Sequence, residues 1–461
     1  MFVSKVPPTA TVSTDGLHGA QRLQAVLAIS AALGLATLDN AITNTALPTI
    51  AADLGADAAA SVWIVSAYQI SLVAALLPLA ALGDIIGYRR VYLAGLVLFI
   101  VTSLACGLAW DLPSLVVARA LQGLGAAAIM SVTTALIRHV YPARMLGSGL
   151  GKNALVVALS FTIGPTVASC ILWVASWHWL FLVNVPIGIG ALILCRALPH
   201  TPRASHRFEV GPAMLSAGFF SLLVLAINDA SHLEPWWRVA LELFGSLACA
   251  FILVRRQAGH PAPMLAVDLF RLPAFSLSAI TAIFSFATQG LAFVSLPFLL
   301  QANGASQVET GFLMTPWPAV VAIMGPIAGR LSDRYPPGAL GGIGLVLLSA
   351  GMASLALMPA DPSIPDMIWR MALCGAGFGF FQSPNLRALM TSAPIARSGG
   401  ASGVVSSARL LGQASGAALV ALCFHLFGGG GPEFALWLGC AFALVASVAS
   451  FLRLAPALHR P

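Results

Sequence analysis

The chain reads as an all-α polytopic membrane protein of fourteen transmembrane helices, on three observations. Hydrophobic residues make up 59% of the 461 residues and charged residues 8%, where soluble domains carry about 25% charge. Apolar runs that reach the length of about 20 residues needed to cross a hydrocarbon layer recur from end to end. The basic residues gather in every second connection between those runs. No polar run is long enough for a separate soluble domain, so any activity belongs to the membrane part. The net charge of +7 is dispersed through short loops and implies no nucleic-acid partner.

Residues 1–20 lack the apolar core of a cleavable signal peptide, so a short retained tail is expected. The expected spans are Leu23 to Ile50, Val62 to Leu82, Val91 to Trp110, Leu115 to Ile137, Leu150 to Val174 and Trp179 to Cys195. A second set comprises Ala213 to Ile227, Val239 to Val254, Phe275 to Leu300, Phe312 to Gly329, Leu340 to Met358, Ile368 to Met390, Val404 to Phe427 and Phe434 to Leu452. The seventh and eighth are the shortest, and hydropathy alone also admits twelve or thirteen. Loop charge favours fourteen with both termini cytoplasmic. That side then holds most of the 23 basic residues, Arg89, Arg90, Arg138, Arg255, Arg256, Arg330 and Arg334 among them, while Arg238 stands on the opposite face with Asp53, Asp57, Asp111, Glu234, Glu309 and Glu433.

The first span contains Asp39, a carboxylate deep in an apolar helix. Such a charge is expensive in a bilayer and persists where the helix faces a cavity or a partner, which marks an ion or proton site. A permanently neutral carboxyl, or one bonded to Thr43 a turn later, is the structural alternative. Asn40 and Asn44 add polar groups to the same helix, as expected where one side of a bundle stays wet. The fourth span contains Arg119, about six residues or roughly 9 Å from its outer end, against roughly 13 Å for Asp39. A guanidinium stem can bridge that difference, so Asp39 and Arg119 are the expected proton-coupling pair, with a static buried pair as the alternative. Glu242 in the eighth span is the other carboxylate expected well inside a helix.

The halves repeat. ALGDIIGYRR follows the second span and GRLSDRYPPG the tenth, with Asp84 and Asp333 separated by 249 residues (333 − 84), and Arg119 and Arg370 by 251 (370 − 119). A duplicated six-helix unit with two inserted helices follows, giving divisions at 1–197, 198–260 and 261–461. Parallel repeats of this kind build transporters with a site near the midplane.

Leu38-Asp39 to Ala46-Leu47-Pro48, Gly83-Asp84 with Gly87 and Arg89-Arg90, Arg119 to Gly125 (RALQGLG), Gly164-Pro165, and Trp177 to Gly188 (WHWLFLVNVPIG) together resemble the successive motifs of the fourteen-helix drug:proton antiporters of the major facilitator superfamily. The likeness covers most of the first 200 residues and continues more loosely through Gly329 to Arg334 and the Arg370 region. Ala80, Ile85, Tyr88, Ser131 and Ala168-Ser169 depart from the family pattern. The resemblance implies proton-driven export of small amphipathic compounds, such as antiseptic, dye or antibiotic cations, across a bacterial inner membrane. A dedicated exporter of one metabolite would share these motifs. It also implies Gln122, Gln289 and Trp317, beside Asn44, as cavity residues.

Asp84 ends the second helix, where a carboxylate can cap the positive end of a helix from the other half, and Gly87 permits the turn beside it. Arg89 and Arg90 either hold that latch, with Asp333 as its repeat, or anchor the loop to anionic lipid. Gly164-Pro165 bends the fifth helix, as a pivot or as a plain packing kink. Leu146 to Asn153 (LGSGLGKN) departs from a phosphate loop at both ends, and Gly123 to Ala128 lies inside a membrane helix where small residues serve packing, so no cofactor is expected. The seven cysteines and nine histidines have no metal-like spacing, and a membrane-embedded transferase would need loop carboxylates or histidines that do not cluster here. Protons, a small-molecule substrate and lipid are the expected partners of a monomeric, non-enzymatic chain.

Overall fold

A backbone in hydrocarbon must satisfy its hydrogen bonds within itself, and this chain does so as helix. The structure, a computed structural model, describes residues 16–142, 145–199, 201, 209–257, 267–359, 362–393 and 398–454; no strand occurs among them. The helices of the N-terminal part are α1 (Gly19–Asp53), α2 (Ala58–Ser61), α3 (Trp63–Ile86), α4 (Tyr88–Gly107), α5 (Leu112–Val140), α6 (Leu146–Val174), α7 (His178–Leu182) and α8 (Asn184–Leu194). Then come α9 (Val210–Ser231) and α10 (Trp236–Arg256), followed by α11 (Pro273–Ala302), α12 (Gln307–Met314), α13 (Pro316–Leu331), α14 (Pro337–Ala356), α15 (Ile364–Ser392), α16 (Ser398–Phe427) and α17 (Gly431–Leu452).

Eleven stretches among the described residues are long and apolar enough to cross a membrane, so this is a multi-pass membrane protein. One of the eleven, Gly403–Leu452, is 50 residues long and contains a 3-10 turn at Gly428–Gly430 between α16 and α17. Leu159–Val174 is a shorter apolar helix, and α15, which carries Arg370, Gln382, Asn385 and Arg387, is too polar along its length to stand among the eleven. The apolar runs read from the sequence fall on these helices, with Trp179 to Cys195 divided between α7 and α8 and Phe312 to Gly329 between α12 and α13.

Local chemistry sets the ends. Asp111 and Ser114 cap the start of α5 reciprocally, the Asp111 carboxylate accepting from the Ser114 amide at 2.8 Å. Ser306 and Glu309 do the same for α12, and Pro316 opens α13 where its missing N–H costs nothing. Gly87 separates α3 from α4 at φ 99°, a left-handed conformation that side chains resist.

The same packing unit occurs twice. In the first copy α5 runs between α3 and α4: a Cβ on Gly123 would lie 2.3 Å from the Tyr68 carbonyl, and one on Gly125 would lie 2.8 Å from the Phe99 amide. In the second, α15 runs between α13 and α14, with Gly375 equally close to the Trp317 carbonyl at 2.3 Å and Gly377 to the Leu348 amide at 2.3 Å. Small residues bring backbones together where lipid offers no hydrophobic drive for association, which is why these glycine pairs belong to packing. The N-terminal helices meet the C-terminal ones along α1–α11, α3–α16, α6–α12 and α6–α13, and α9 lies against both α3 and α16. Helix α10 packs on α9, and its Trp236, Trp237, Leu241, Phe244 and Leu247 remain exposed, as a lipid-facing surface requires.

Candidate functional site

Asp39 lies 20 residues along α1, and the helices around it bring polar groups to its carboxylate from three directions. Arg119 on α5 forms an ion pair with Oδ2, and neither side chain has more than 1% of its surface exposed. Gln122, one turn along α5, donates its amide to Asp39 Oδ1 at 3.1 Å, and Asn184 at the start of α8 donates to the same oxygen at 2.7 Å. The Gln122 carbonyl accepts from Arg119 Nη1 at 2.6 Å, while its amide also reaches Ser103 Oγ on α4 at 2.8 Å. Arg119 Nε donates to the Ile64 carbonyl on α3 at 3.2 Å, and its guanidinium carbon stands 4.3 Å from the centre of the Tyr68 ring. One carboxylate thus ties α1, α3, α4, α5 and α8 together. Thr43 does not bond that carboxylate; its hydroxyl donates to the Asp39 backbone carbonyl at 2.8 Å.

The neighbouring face of α1 opens on a narrow space between the halves. Asn40 and Asn44 of α1, Gln69 of α3, Gln289 of α11 and Gln413 of α16 line it with amides, and Phe161 and Phe293 close it with rings. Gln413 donates to the Gln289 carbonyl at 3.0 Å, while the side-chain oxygens of Asn40, Asn44 and Gln69 have no protein partner. Polar groups that converge on one space between packed helices are a feature of small-molecule sites.

The sequence candidates divide between these two places. Asp39, Arg119 and Gln122 belong to the ion-pair network, Asn44 and Gln289 to the cavity. Gln122 therefore serves the carboxylate and does not line the cavity. Trp317 is fully buried against Phe293, ring centres 5.4 Å apart, in the core of the C-terminal helices, and it lies outside the cavity lining. Arg370 departs from its counterpart Arg119: it pairs with Asp366, one turn away on α15, at 3.0 Å.

At the end of α3 Asp84 accepts a hydrogen bond from the Tyr88 hydroxyl at 2.5 Å, and the Tyr88 amide donates to Thr201 Oγ1 at 3.0 Å. Among the described residues no bond from Asp84 to a helix of the other half is present, so the expected cross-half cap is replaced here by a bond to its own loop. Gly87 is the turn between them, and Arg90 is exposed. Asp333 pairs with Arg387 of α15, an exposed contact that ties the loop after α13 to its own half. Gly164 is where α6 touches α1, since a Cβ there would lie 2.4 Å from that of Ala41, two residues from Asp39. Pro165 faces the other half: a Cβ on Gly311 of α12 would lie 2.3 Å from its carbonyl, and Thr162 and Thr166 hydrogen-bond Pro318 and Thr315.

Asn184, Tyr68, Gln69 and Gln413 escaped the sequence reading. Asn184 stood in a quoted motif as a lone amide in an apolar run, and that contrast was its signal; the others needed the packing. Asp229 is a further omission. The apolar run ends at Ile227, but α9 continues to Ser231, so the 1% exposed Asp229 joins the half-buried Glu242 as a second carboxylate of the α9–α10 pair, with Arg238 Nε 2.7 Å from it and 3.7 Å from Glu242.

Comparison with known proteins decides the family. The Major Facilitator Superfamily model matches residues 29–417 and, in a second match, 278–461. The chain belongs to the Major Facilitator Superfamily. It is 50% identical to the uncharacterized transporter YebQ of Escherichia coli K12, over 96% of this chain and 98% of that one. It is 30% identical to the multidrug resistance protein Stp of Mycobacterium tuberculosis, over 87% of this chain and 75% of that one. It is also 30% identical to the multidrug efflux pump LfrA of Mycolicibacterium smegmatis, over 85% and 79%. These relatives set it among the drug:proton antiporters of the superfamily. A solved POT family transporter in complex with a thioalcohol-conjugated peptide shares the fold, with a TM-score of 0.75 at 15% identity over 98% of this chain and 100% of that one. As a superfamily member the chain is a transporter.

Proposed function

We propose that this transporter couples proton movement to the export of small amphipathic compounds by alternating access. The reading is carried by the Asp39 network, which lies one residue from the cavity side chain Asn40 and joins five helices of one half. Ionised, Asp39 holds Arg119, Gln122 and Asn184. Protonated, it loses the charge that compensates a buried guanidinium, and the arrangement of α1, α5 and α8 that was favoured for the ion pair is no longer favoured. Because Asn40 and Asn44 ride on the same helix, a substrate that holds α1 in one arrangement and a proton that releases it act on one element, which is the physical requirement for coupling.

The reading includes fourteen membrane helices as two six-helix bundles, 1–197 and 261–461, with an inserted pair over 198–260. It also places both termini in the cytoplasm of a bacterial inner membrane and treats the chain as a monomer with no cofactor and no enzymatic activity. The resistance names of Stp and LfrA favour multidrug export over a dedicated metabolite exporter. The test is reconstitution of purified protein in vesicles with an internal pH dye. Candidate compounds added on one side should draw protons in the opposite direction in the wild type and not in Asp39→Asn. Compound movement that leaves internal pH unchanged in the wild type would replace the proposal with uncoupled transport.

A further inference from the structure

Arg409 is a cation inside the membrane part with no counter-ion among the described residues. It lies 11 residues into the 30-residue helix α16, within the apolar stretch Gly403–Leu452. Its neighbour Ala408 packs in the core of the C-terminal helices and Leu410 in that of the N-terminal helices, so position 409 falls on the seam between the halves. Gln413, one turn further along the same face, lines the amide cavity. A helical side chain leans toward its helix N-terminus, so the guanidinium stands at the N-terminal approach to that cavity. Arg409 is partly exposed there, and no carboxylate or acceptor engages it among the described residues. Other arginines on these helices are answered: Arg119 by Asp39, Arg370 by Asp366, and Arg453 by Ser278, Asn385 and Ser450.

An uncompensated charge inside a membrane is costly and marks a substrate path. We infer that the cavity takes an organic anion, its carboxylate on Arg409 and its apolar body against Phe161, Phe293 and Val294. The inference rests on the transport reading and narrows it. No carboxylate lines the cavity among the described residues, and Asp39 is committed to Arg119, so a permanent cation finds no counter-charge from them. A carboxylate on a guanidinium gains charge-assisted, bidentate hydrogen bonds that a neutral isostere lacks.

The test places a thiol at Gln413→Cys, with the parent protein as the blank for its own cysteines, and measures modification by anionic and cationic methanethiosulfonates. Arg409→Gln should lower the ratio of anionic to cationic rates by about tenfold or more, the loss of one charge-assisted interaction, and Arg409→Lys should largely restore it. Benzoate and salicylate should protect the thiol in the Gln413→Cys protein, while benzamide, salicylamide and ethidium should not. An unchanged ratio in Arg409→Gln, or protection by ethidium or the amides equal to that by the acids, overturns the inference. If Arg409→Gln fails to fold, the protection series in the Gln413→Cys protein decides by the same criteria. Thiol chemistry does not require coupled flux, so loss of proton coupling would refute the transport reading and leave this result standing.

Discussion

Asp39→Asn separates a coupling carboxylate from a structural one. The two oxygens of Asp39 meet three donors, Arg119 on Oδ2 and Gln122 and Asn184 on Oδ1. Asparagine has one oxygen. Placed at Oδ1 it satisfies the two amides and turns an NH₂ toward the guanidinium; placed at Oδ2 it leaves two buried amides facing a donor. The first arrangement strands a buried charge at about 3–5 kcal/mol, and the second loses two hydrogen bonds at about 1–3 kcal/mol each. Either way the single variant should be destabilised, by about one and a half to about four powers of ten in the folding equilibrium at about 1.36 kcal/mol per tenfold. Arg119→Gln in the Asp39→Asn background removes the stranded charge, so the double variant should recover most of that loss. Thermal unfolding in detergent, with the single and double variants in one cycle, measures the recovery. Proton flux in vesicles should be absent from all three variants, because no titratable carboxyl remains at this position or, in Arg119→Gln alone, nothing opposes its charge. A double variant as unstable as the sum of the singles would refute the pairing argument. Undiminished coupled flux in Asp39→Asn would refute the coupling role and turn attention to Asp229 and Glu242.

At the α3–α4 loop, Asp84→Asn should slow transport with insertion intact, and Tyr88→Phe, which removes the hydroxyl bonded at 2.5 Å, should share part of that defect; equal rates in both variants and wild type would leave the loop with a lipid-anchoring role alone. Gly164→Ala puts a methyl 2.4 Å from the Cβ of Ala41 and should cost about 1–3 kcal/mol by overpacking α6 on α1. Ala41→Gly in the same chain should restore stability and transport; failure to restore either would show that the glycine serves the bend and not the contact. Single cysteines near Asp57, Glu309 and Gly430 should react with an impermeant reagent from outside, and cysteines near Arg203 and Arg397, which lie outside the described residues, should not. Outside labelling near Arg203 would overturn the fourteen-helix topology.

Hydropathy and loop charge made the membrane class legible without any structure, because a bilayer imposes one rule on every backbone group and one length on every span. The internal repeat was equally legible in the spacings of Asp84 and Asp333 and of Arg119 and Arg370, and the packing gives it a reason: Gly123 and Gly375 must both be small for a helix to pass a neighbour's carbonyl. Asp39 and Arg119 could be named for a similar reason: a charge in an apolar run is visible against its background, and helical rise alone shows that their depths agree. What surrounds them was not visible. Gln122 and Gln289 are both amides in apolar helices, and only the azimuth of α5 and α11 sends one to a carboxylate and the other to the cavity. Tyr68, Asn184 and Ile64 reach the pair from helices far apart in sequence, and Trp317 turns into the core because α15 presses a glycine against its backbone. Arg409 shows the division most plainly. It lies in a span that the sequence reading marked without singling it out, and its lack of a counter-ion among the described residues is a property of every helix packed around it, which the order of residues along one helix does not contain.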